Sequence, residues 1–425
     1  MELVRIGSRN SAVELLQMAL HRAGLNPGVI DGIFGERTLQ SVLDFQRRNG
    51  LAADGIVGNM TWGRLNPYLT GYITHRIERG DTFWSLAQKY NTTIQSIMTA
   101  NPNVTPENLV INNNIVIPLN FEVVPTNMNF TYRLLQFCIE GIKVRYPFIQ
   151  TSVIGNSVQG KALYMLRMGE GQNRVLYNAA HHANEWITTP VLMKYIEQFS
   201  AAYSQNRNIF DTNAREIYDN TSIYIVPMVN PDGVDLVTGA VAPGSAVYEN
   251  ARAMNYLHLP FPSGWKANIR GVDLNLQYPA GWEIAREIKM SQGYTSPGPR
   301  DYVGEAPLTE PESYAMAEIT RTLNPSLILA YHTQGEIIYW RYLDYLPPNS
   351  YEIVRLLSQV SGYRYEDTPL ASGHAGYKDW FILKYNRPGY TIECGRGANP
   401  LHINQFDQIY RDNIGILTKA TLDFR

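Results

Sequence analysis

The spacing of hydrophobic residues changes along this chain, and each change marks an element. Ala12–Ala23 and Leu39–Arg48 (LQSVLDFQRR) place apolar residues at helical intervals, and each predicts an amphipathic helix. Further on the period shortens. Val175–Ala180 is an apolar run that stops at His181 and His182, and the pattern becomes helical through Pro190–Phe199. Ser222–Gly233 (SIYIVPMVNPDG) is a β-rich run ending in a turn, while Ser326–Gly335 (SLILAYHTQG) and Pro388–Gly395 (PGYTIECG) read as further apolar strands. Apolar strands that alternate with helical patterns predict an α/β fold for this part of the chain.

The first 119 residues are patterned differently. DGIFGERT at Asp31–Thr38 nearly repeats as DGIVGNMT at Asp54–Thr61. Asp-Gly favours turns, so residues 1–68 read as small helices joined by tight loops. Residues 71–119 read strand, helix, helix, strand. Gly80-Asp81-Thr82 opens the first helix, with Asp81 or Thr82 as its N-cap. Ile94–Ala100 is the second helix, Asn101-Pro102 ends it, and Ile115–Leu119 closes the module. The aromatics Phe83 and Trp84 are read as core. Asn120–Met128 (NFEVVPTNM) is a short linker, so the catalytic part is placed at residues 125–425.

The chemistry sits where strands end. His182 and Glu185 lie three residues apart where a strand gives way to a helix, a spacing that lets an imidazole and a carboxylate address one metal ion. Ser326–Gly335 delivers His332 at its end, and Pro388–Gly395 delivers Glu393. Active sites of open α/β sheets lie beyond the carboxyl ends of strands. A third ligand from a distant strand completes a His₂Glu zinc site with an open fourth position. His181, next to the first ligand, should point to the other side of its strand and serve packing or support.

His182, Glu185 and Trp186, NPDG at Asn230–Gly233, GVDLN at Gly271–Asn275, His332, and Glu393 in YTIEC together resemble the carboxypeptidase A-type zinc peptidases. The resemblance implies one zinc ion per catalytic domain, held by His182, Glu185 and His332. It implies Glu393 as the general base for zinc-activated water, and Asp273 as the carboxylate that orients His182. It further implies a mixed sheet of about eight strands flanked by helices.

Two departures bear on substrate. The family carries an arginine after the asparagine of GVDLN, where it binds the substrate's terminal carboxylate. Here Asn275 is followed by Leu276, which lacks the guanidinium fork for that task. The family's loop tyrosine is also displaced: in SGHAGYKDW, Ser372–Trp380, the residue closing on substrate is His374, with Tyr377 as the alternative. A cation to polarise the scissile carbonyl should lie in WKANIR, Trp265–Arg270, with Lys266 and Arg270 both candidates.

The front modules resemble the peptidoglycan-binding domain 1 family (residues 1–68) and the LysM family (residues 71–119). They imply glycan strands and stem peptides of the wall as partners. The whole arrangement resembles the γ-D-glutamyl-meso-diaminopimelate peptidases, or endopeptidase I, of spore-forming bacteria. Alternatives are a carboxypeptidase trimming stem peptides or proteins, an inactive wall-binding protein, and an amidase cutting between sugar and peptide. Retention of all three ligands and Glu393 argues against the inactive form.

Composition narrows the remainder. With 36 Lys and Arg against 38 Asp and Glu, net charge is −2 and no basic tract invites nucleic acid. Cys138 and Cys394 lack metal spacing and read as structural thiols. No stretch reaches transmembrane length. MELVRIGSRN lacks the apolar segment of a signal peptide. The chain is therefore expected in the cytoplasm or sporangium, acting on wall or spore cortex after release, unless it is a mature form.

Overall fold

A computed structural model describes residues 1–424 of the 425-residue chain. They form two compact units: Met1–Met128 with Arg133–Ile149, and Asn129–Tyr132 with the chain from Gln150 onward.

The first unit begins with three helices, α1 (Ser11–Arg22), α2 (Glu36–Arg48) and α3 (Asn59–Thr70). The repeated DGI-x-G loops are pinned by two buried glutamines. Gln17 Nε2 donates to Asp31 Oδ1 at 2.9 Å and to the Ile33 carbonyl at 3.2 Å, while its Oε1 accepts from Asp31 N and Gly32 N, each at 3.0 Å. Gln46 repeats this on the second loop. It donates to Asp54 Oδ1 at 2.9 Å and the Ile56 carbonyl at 3.0 Å, and accepts from Gly55 N at 3.0 Å. Gly32 and Gly55 sit at φ +71° and +73°, a conformation open to glycine.

The second module pairs β1 (Tyr72–Arg76) antiparallel with β2 (Asn114–Pro118) and carries α4 (Phe83–Lys89) and α5 (Ile94–Ala100) between them. Thr82 is the N-cap of α4: its side chain accepts from Ser85 N at 3.0 Å, and Ser85 Oγ accepts from Thr82 N at 2.9 Å. Phe83 packs with Leu86, Ile97, Ile115 and Ile117. Trp84 does not. Successive helix residues are about 100° apart around the axis, so turning Phe83 inward leaves Trp84 64 % exposed. The reading of Trp84 as core is corrected. Helix α6 (Tyr132–Arg145) packs on this unit over most of its length: a Cβ at Gly141 would lie 2.0 Å from the Thr70 carbonyl oxygen.

The second unit is built on one mixed sheet of eight strands. They are β3 (Gln150–Asn156), β4 (Ala162–Met168), β5 (Asn173–Ala179), β8 (Thr221–Val226), β9 (Leu327–His332), β10 (Ile337–Tyr339), β11 (Arg364–Glu366) and β12 (Gly389–Glu393), with a two-residue pair β6 (Asn208–Ile209) and β7 (Thr212–Asn213) outside it. The order is β11-β10-β12-β9-β5-β8-β4-β3. The central run β12, β9, β5 and β8 is parallel; β4 pairs antiparallel with β8 and β3 antiparallel with β4, while at the other edge β10 pairs antiparallel with β12 and β11 parallel with β10. Central parallel strands are covered on both faces, which explains their unbroken apolar sequence. Every residue of β8 and β9 is buried. One core cluster joins Leu176, Tyr224, Ile328 and Ala330 of the sheet to Tyr377, Trp380 and Phe381 of the covering helix Tyr377–Tyr385. Among the described residues no helix is long and apolar enough to cross a membrane.

Candidate active site

Strands β5, β9 and β12 run side by side and parallel, so their carboxyl ends open on one edge of the sheet. Neighbouring strands are about 4.8 Å apart, and residues released at adjacent ends therefore meet. Glu393 closes β12 in register with His332, which closes β9. After β5, Ala180 turns at φ +53° and the strand's alternation ends there. His181 goes into the core, with Nε2 2.9 Å from the Tyr278 hydroxyl. His182 precedes the short turn Ala183–Glu185 and lines the cavity, and Glu185 closes that turn beside it.

Glu185 lies between the two histidines. Its Oε1 is 2.9 Å from His182 Nδ1, its Oε2 is 2.9 Å from His332 Nδ1, and the two Nδ1 atoms are 3.1 Å apart. On the far side of the ring, His182 Nε2 is 3.1 Å from Asp273 Oδ1. A carboxylate only accepts, so Asp273 fixes the proton of a neutral His182 on Nε2 and leaves a lone pair on Nδ1. That lone pair faces another acceptor, Glu185 Oε1. Two acceptors at hydrogen-bond distance need a cation or a proton between them. The donor set, two imidazole nitrogens and one carboxylate oxygen within 4.8 Å and all buried, fits zinc.

The charges agree. Burial opposes a positive His182, but Glu185 and Asp273 outweigh it and hold the ring up at about 9. Burial also opposes the Glu185 anion, and His182 and His332 reverse that and bring its carboxyl down. His332 is brought down by burial, with the charges of His182 and Lys266 adding to that against the pull of Glu185. The site thus binds a proton tightly where a metal ion would displace it. Burial and the Glu185 charge push Glu393 up to about 8.

The cavity beside the triad is about 260 Å³ and is lined by His182, His332, Glu393, Lys266, Asn275 and Leu276, among others. Lys266 Nζ lies 3.7 Å from Asp273 Oδ2. Arg270 is not in the lining; it is 55 % exposed and pairs with Glu310 at 3.6 Å. Of the two cations, the fold brings Lys266 to the site and leaves Arg270 outside. Asn275 Oδ1 accepts from Tyr377 N at 3.0 Å. Leu276 is buried with Trp282, Ala285, Val303 and Ala375.

The loop residues expected to close on substrate lie elsewhere. His374 is buried, with Nδ1 3.2 Å from the Tyr342 hydroxyl, and is absent from the cavity lining. Tyr377 is fully buried in the core and its hydroxyl meets Thr320 Oγ1 at 2.7 Å. Both are corrected to packing roles in this structure, since each side chain has its partner on the interior side of the loop. Residues not foreseen from sequence also line the cavity. Lys378 is paired with Asp379 and donates to the Arg341 carbonyl, Lys289 donates to Asp301, and Arg300 completes the basic wall. Asn399 supports the triad, donating through Nδ2 to Glu185 Oε1 at 3.5 Å. The adjacent Lys378-Asp379 pair was visible in the sequence, whereas Arg300 and Asn399 carried no local signal.

Residues 136–415 match the Zinc carboxypeptidase family model. The chain belongs to the zinc carboxypeptidase family. It is a zinc metallopeptidase of that family, with the family's ion matched by the His182, Glu185 and His332 cluster. Residues 9–65 match the model described as Putative peptidoglycan binding domain, and residues 75–118 match LysM. The chain is 44 % identical over 298 residues to gamma-D-glutamyl-L-diamino acid endopeptidase 1 of Lysinibacillus sphaericus, covering 70 % of this chain and 74 % of that protein. It is 41 % identical over 277 residues to the uncharacterized protein YqgT of Bacillus subtilis, covering 65 % and 72 %. Among solved structures, bovine thrombin-activatable fibrinolysis inhibitor in complex with tick carboxypeptidase inhibitor matches with a TM-score of 0.53 at 18 % identity. That match covers 70 % of this chain and 97 % of the other, and it bears on the fold.

Proposed function

We propose that this zinc carboxypeptidase-family member is a peptidoglycan endopeptidase that hydrolyses the γ-D-glutamyl–meso-diaminopimelate bond of stem peptides. The observation that carries the reading is Leu276. It occupies the position after Asn275 where the resembled carboxypeptidases bind a terminal carboxylate, and here that position is buried in an apolar cluster. An unpaired carboxylate beside such a side chain is costly, so the recognition of an ordinary C-terminal carboxylate at this position is lost. The similarity to an endopeptidase named for a γ-D-glutamyl-diamino acid substrate supports the same reading.

His182, Glu185 and His332 would hold the zinc, with Asp273 fixing the His182 ring and Asn399 steadying Glu185. Zinc bound there supplies Lewis acidity and makes hydroxide available near neutral pH. Glu393 takes a proton from water as its oxygen adds to the scissile carbonyl carbon, and gives that proton to the departing amine as the C–N bond breaks. Lys266 offers positive charge to the carbonyl oxygen. Residues 1–119 anchor the enzyme on glycan strands, raising local concentration without touching the chemistry. Its place of action is the wall or spore cortex.

Mass spectrometry of products tests this. The full chain should split L-Ala-γ-D-Glu-meso-diaminopimelate between glutamate and diaminopimelate and should leave α-linked peptides largely untrimmed. Fast trimming of α-linked peptides with no cut at the γ-linkage would establish the carboxypeptidase alternative.

A further inference from the structure

The cavity carries an apolar Leu276 after Asn275, and its guanidinium comes from another segment of the chain. Arg300 is the single arginine in its lining among the described residues. Its backbone is stitched to the loop that presents Lys266 and Asp273. Lys266 N and Ala267 N both donate to the Pro299 carbonyl, at 2.8 and 3.0 Å. Gly298 N donates to the Gly271 carbonyl at 3.0 Å, and Asp273 N donates to the Tyr302 carbonyl at 2.8 Å. Bonds on both sides of residue 300 therefore fix where its side chain starts. The side chain is anchored as well. Nε donates to Asp301 Oδ2, and Asp301 Oδ1 is held by Lys289 Nζ at 2.7 Å. The two terminal nitrogens of Arg300 have no partner among the described residues, and the side chain is 44 % exposed.

The other cations of the wall are committed. Lys378 is 4 % exposed and already donates to Asp379 and to the Arg341 carbonyl. Lys289 is engaged with Asp301. Lys266 stands beside Asp273, next to the triad. Arg300 alone presents a planar pair of donors suited to a carboxylate.

Resting on the proposed function, we infer that Arg300 is the carboxylate-binding residue of this site, receiving a substrate carboxylate that flanks the scissile amide in place of the arginine missing after Asn275. The stem peptide offers three such groups: the free α-carboxylate of the γ-linked glutamate, and the near and far carboxylates of the diamino acid. A guanidinium held by Nε can still form a two-pronged contact through its Nη atoms, so the anchor and the receptor functions are compatible.

The test compares full-length wild type, Arg300→Ala and Arg300→Lys, each checked for zinc content and melting temperature. Four peptides are used: L-Ala-γ-D-Glu-meso-diaminopimelate, the same with the glutamate α-carboxylate amidated, the same with the C-terminal carboxylate amidated, and the same with lysine replacing the diamino acid. Arg300→Ala should lower kcat/KM on the parent peptide about 10- to 100-fold, the range for a hydrogen bond to a charged group, mainly through KM. On one of the three altered peptides wild type should already be slow, and Arg300→Ala should slow it no further; that peptide identifies the carboxylate. Arg300→Lys, which keeps an ion partner for Asp301, should show the same pattern at smaller amplitude. Wild-type kcat/KM in Arg300→Ala, or an equal loss on all four peptides, would overturn the inference. Failure of wild type to cut the γ-linkage would instead remove the proposed function. Arg300 would then be judged by the same comparison on carboxylate and amide forms of the peptide that wild type does cut.

Discussion

Two buried polar clusters in this chain are built from similar parts and close in different ways. In the front unit, Gln17 and Gln46 each bring donors and acceptors to a DGI-x-G loop, and each finds a matching partner. The amide has both functions in one side chain, so the network is complete within the protein. In the sheet unit, with Asp273 on the far side of the ring, His182 Nδ1 and Glu185 Oε1 bring acceptor to acceptor at 2.9 Å, with His332 Nδ1 2.9–3.1 Å from both groups. That network closes through something positive from outside. The first cluster is a device of folding and the second a device of binding, and the difference lies in the sign of the groups that face one another.

The largest effect that sharpens this contrast falls on Glu393, which lines the cavity without being a ligand. Glu393→Ala should keep zinc and the fold while losing about two to four orders of magnitude in rate, a general acid–base contribution. A steady-state assay with metal analysis of the same sample measures both; near-normal rate would remove Glu393 from the chemistry.

The next effect concerns a carboxyl outside both clusters. Glu312 is fully buried, and burial raises it from the ordinary 4.5 to about 7 against the opposing hydrogen bond from Val158 N. The folded state therefore binds this proton more tightly than the unfolded chain. Its stabilisation is complete below pH 4.5 and is lost as pH rises through about 7. The loss should amount to about 1–3 kcal/mol. Urea unfolding of the full chain at pH 5 and pH 8 should show this decline in wild type and a flatter profile in Glu312→Gln. An unchanged slope in the variant would assign the pH dependence to other groups.

A smaller change should come from the self-contained cluster. Gln46 is 1 % exposed, and Gln46→Ala leaves the second loop's N–H and carbonyl groups without partners. The front unit should lose about 1–2 kcal/mol, seen as a lower thermal transition, with kcat/KM on a soluble stem peptide unchanged. A fall in kcat/KM would show that the two clusters are coupled.

What could be read from sequence follows the same division. Helices and apolar strands showed their period, and strand ends showed the ligands, because a residue at the end of a strand is placed by the strand itself. His182, Glu185, His332 and Glu393 were legible for that reason. Trp84 was misread because an aromatic beside a core aromatic looks alike in sequence and differs by one helical step. His374 and Tyr377 were misplaced because the orientation of a loop side chain is decided by distant partners, here Tyr342 and Thr320. Arg300 was invisible because its place depends on backbone bonds to residues about 30 positions earlier, such as the Lys266 N to Pro299 carbonyl contact. The choice between Lys266 and Arg270 needed the cavity as well. Gln17 and Gln46 left a trace, since each stands in a helix preceding its DGI-x-G loop, but the repeat was visible only in the loops.

The central claim is that the triad closes through a metal ion. The direct measurement is a zinc titration of chelator-stripped full-length protein, followed by metal analysis, for wild type, His332→Ala and Glu393→Ala. One zinc per chain should bind wild type and Glu393→Ala, with release of protons on binding because His182 starts protonated. His332→Ala should bind zinc far more weakly. Stoichiometric, tight zinc in His332→Ala, or none in wild type, would contradict the account.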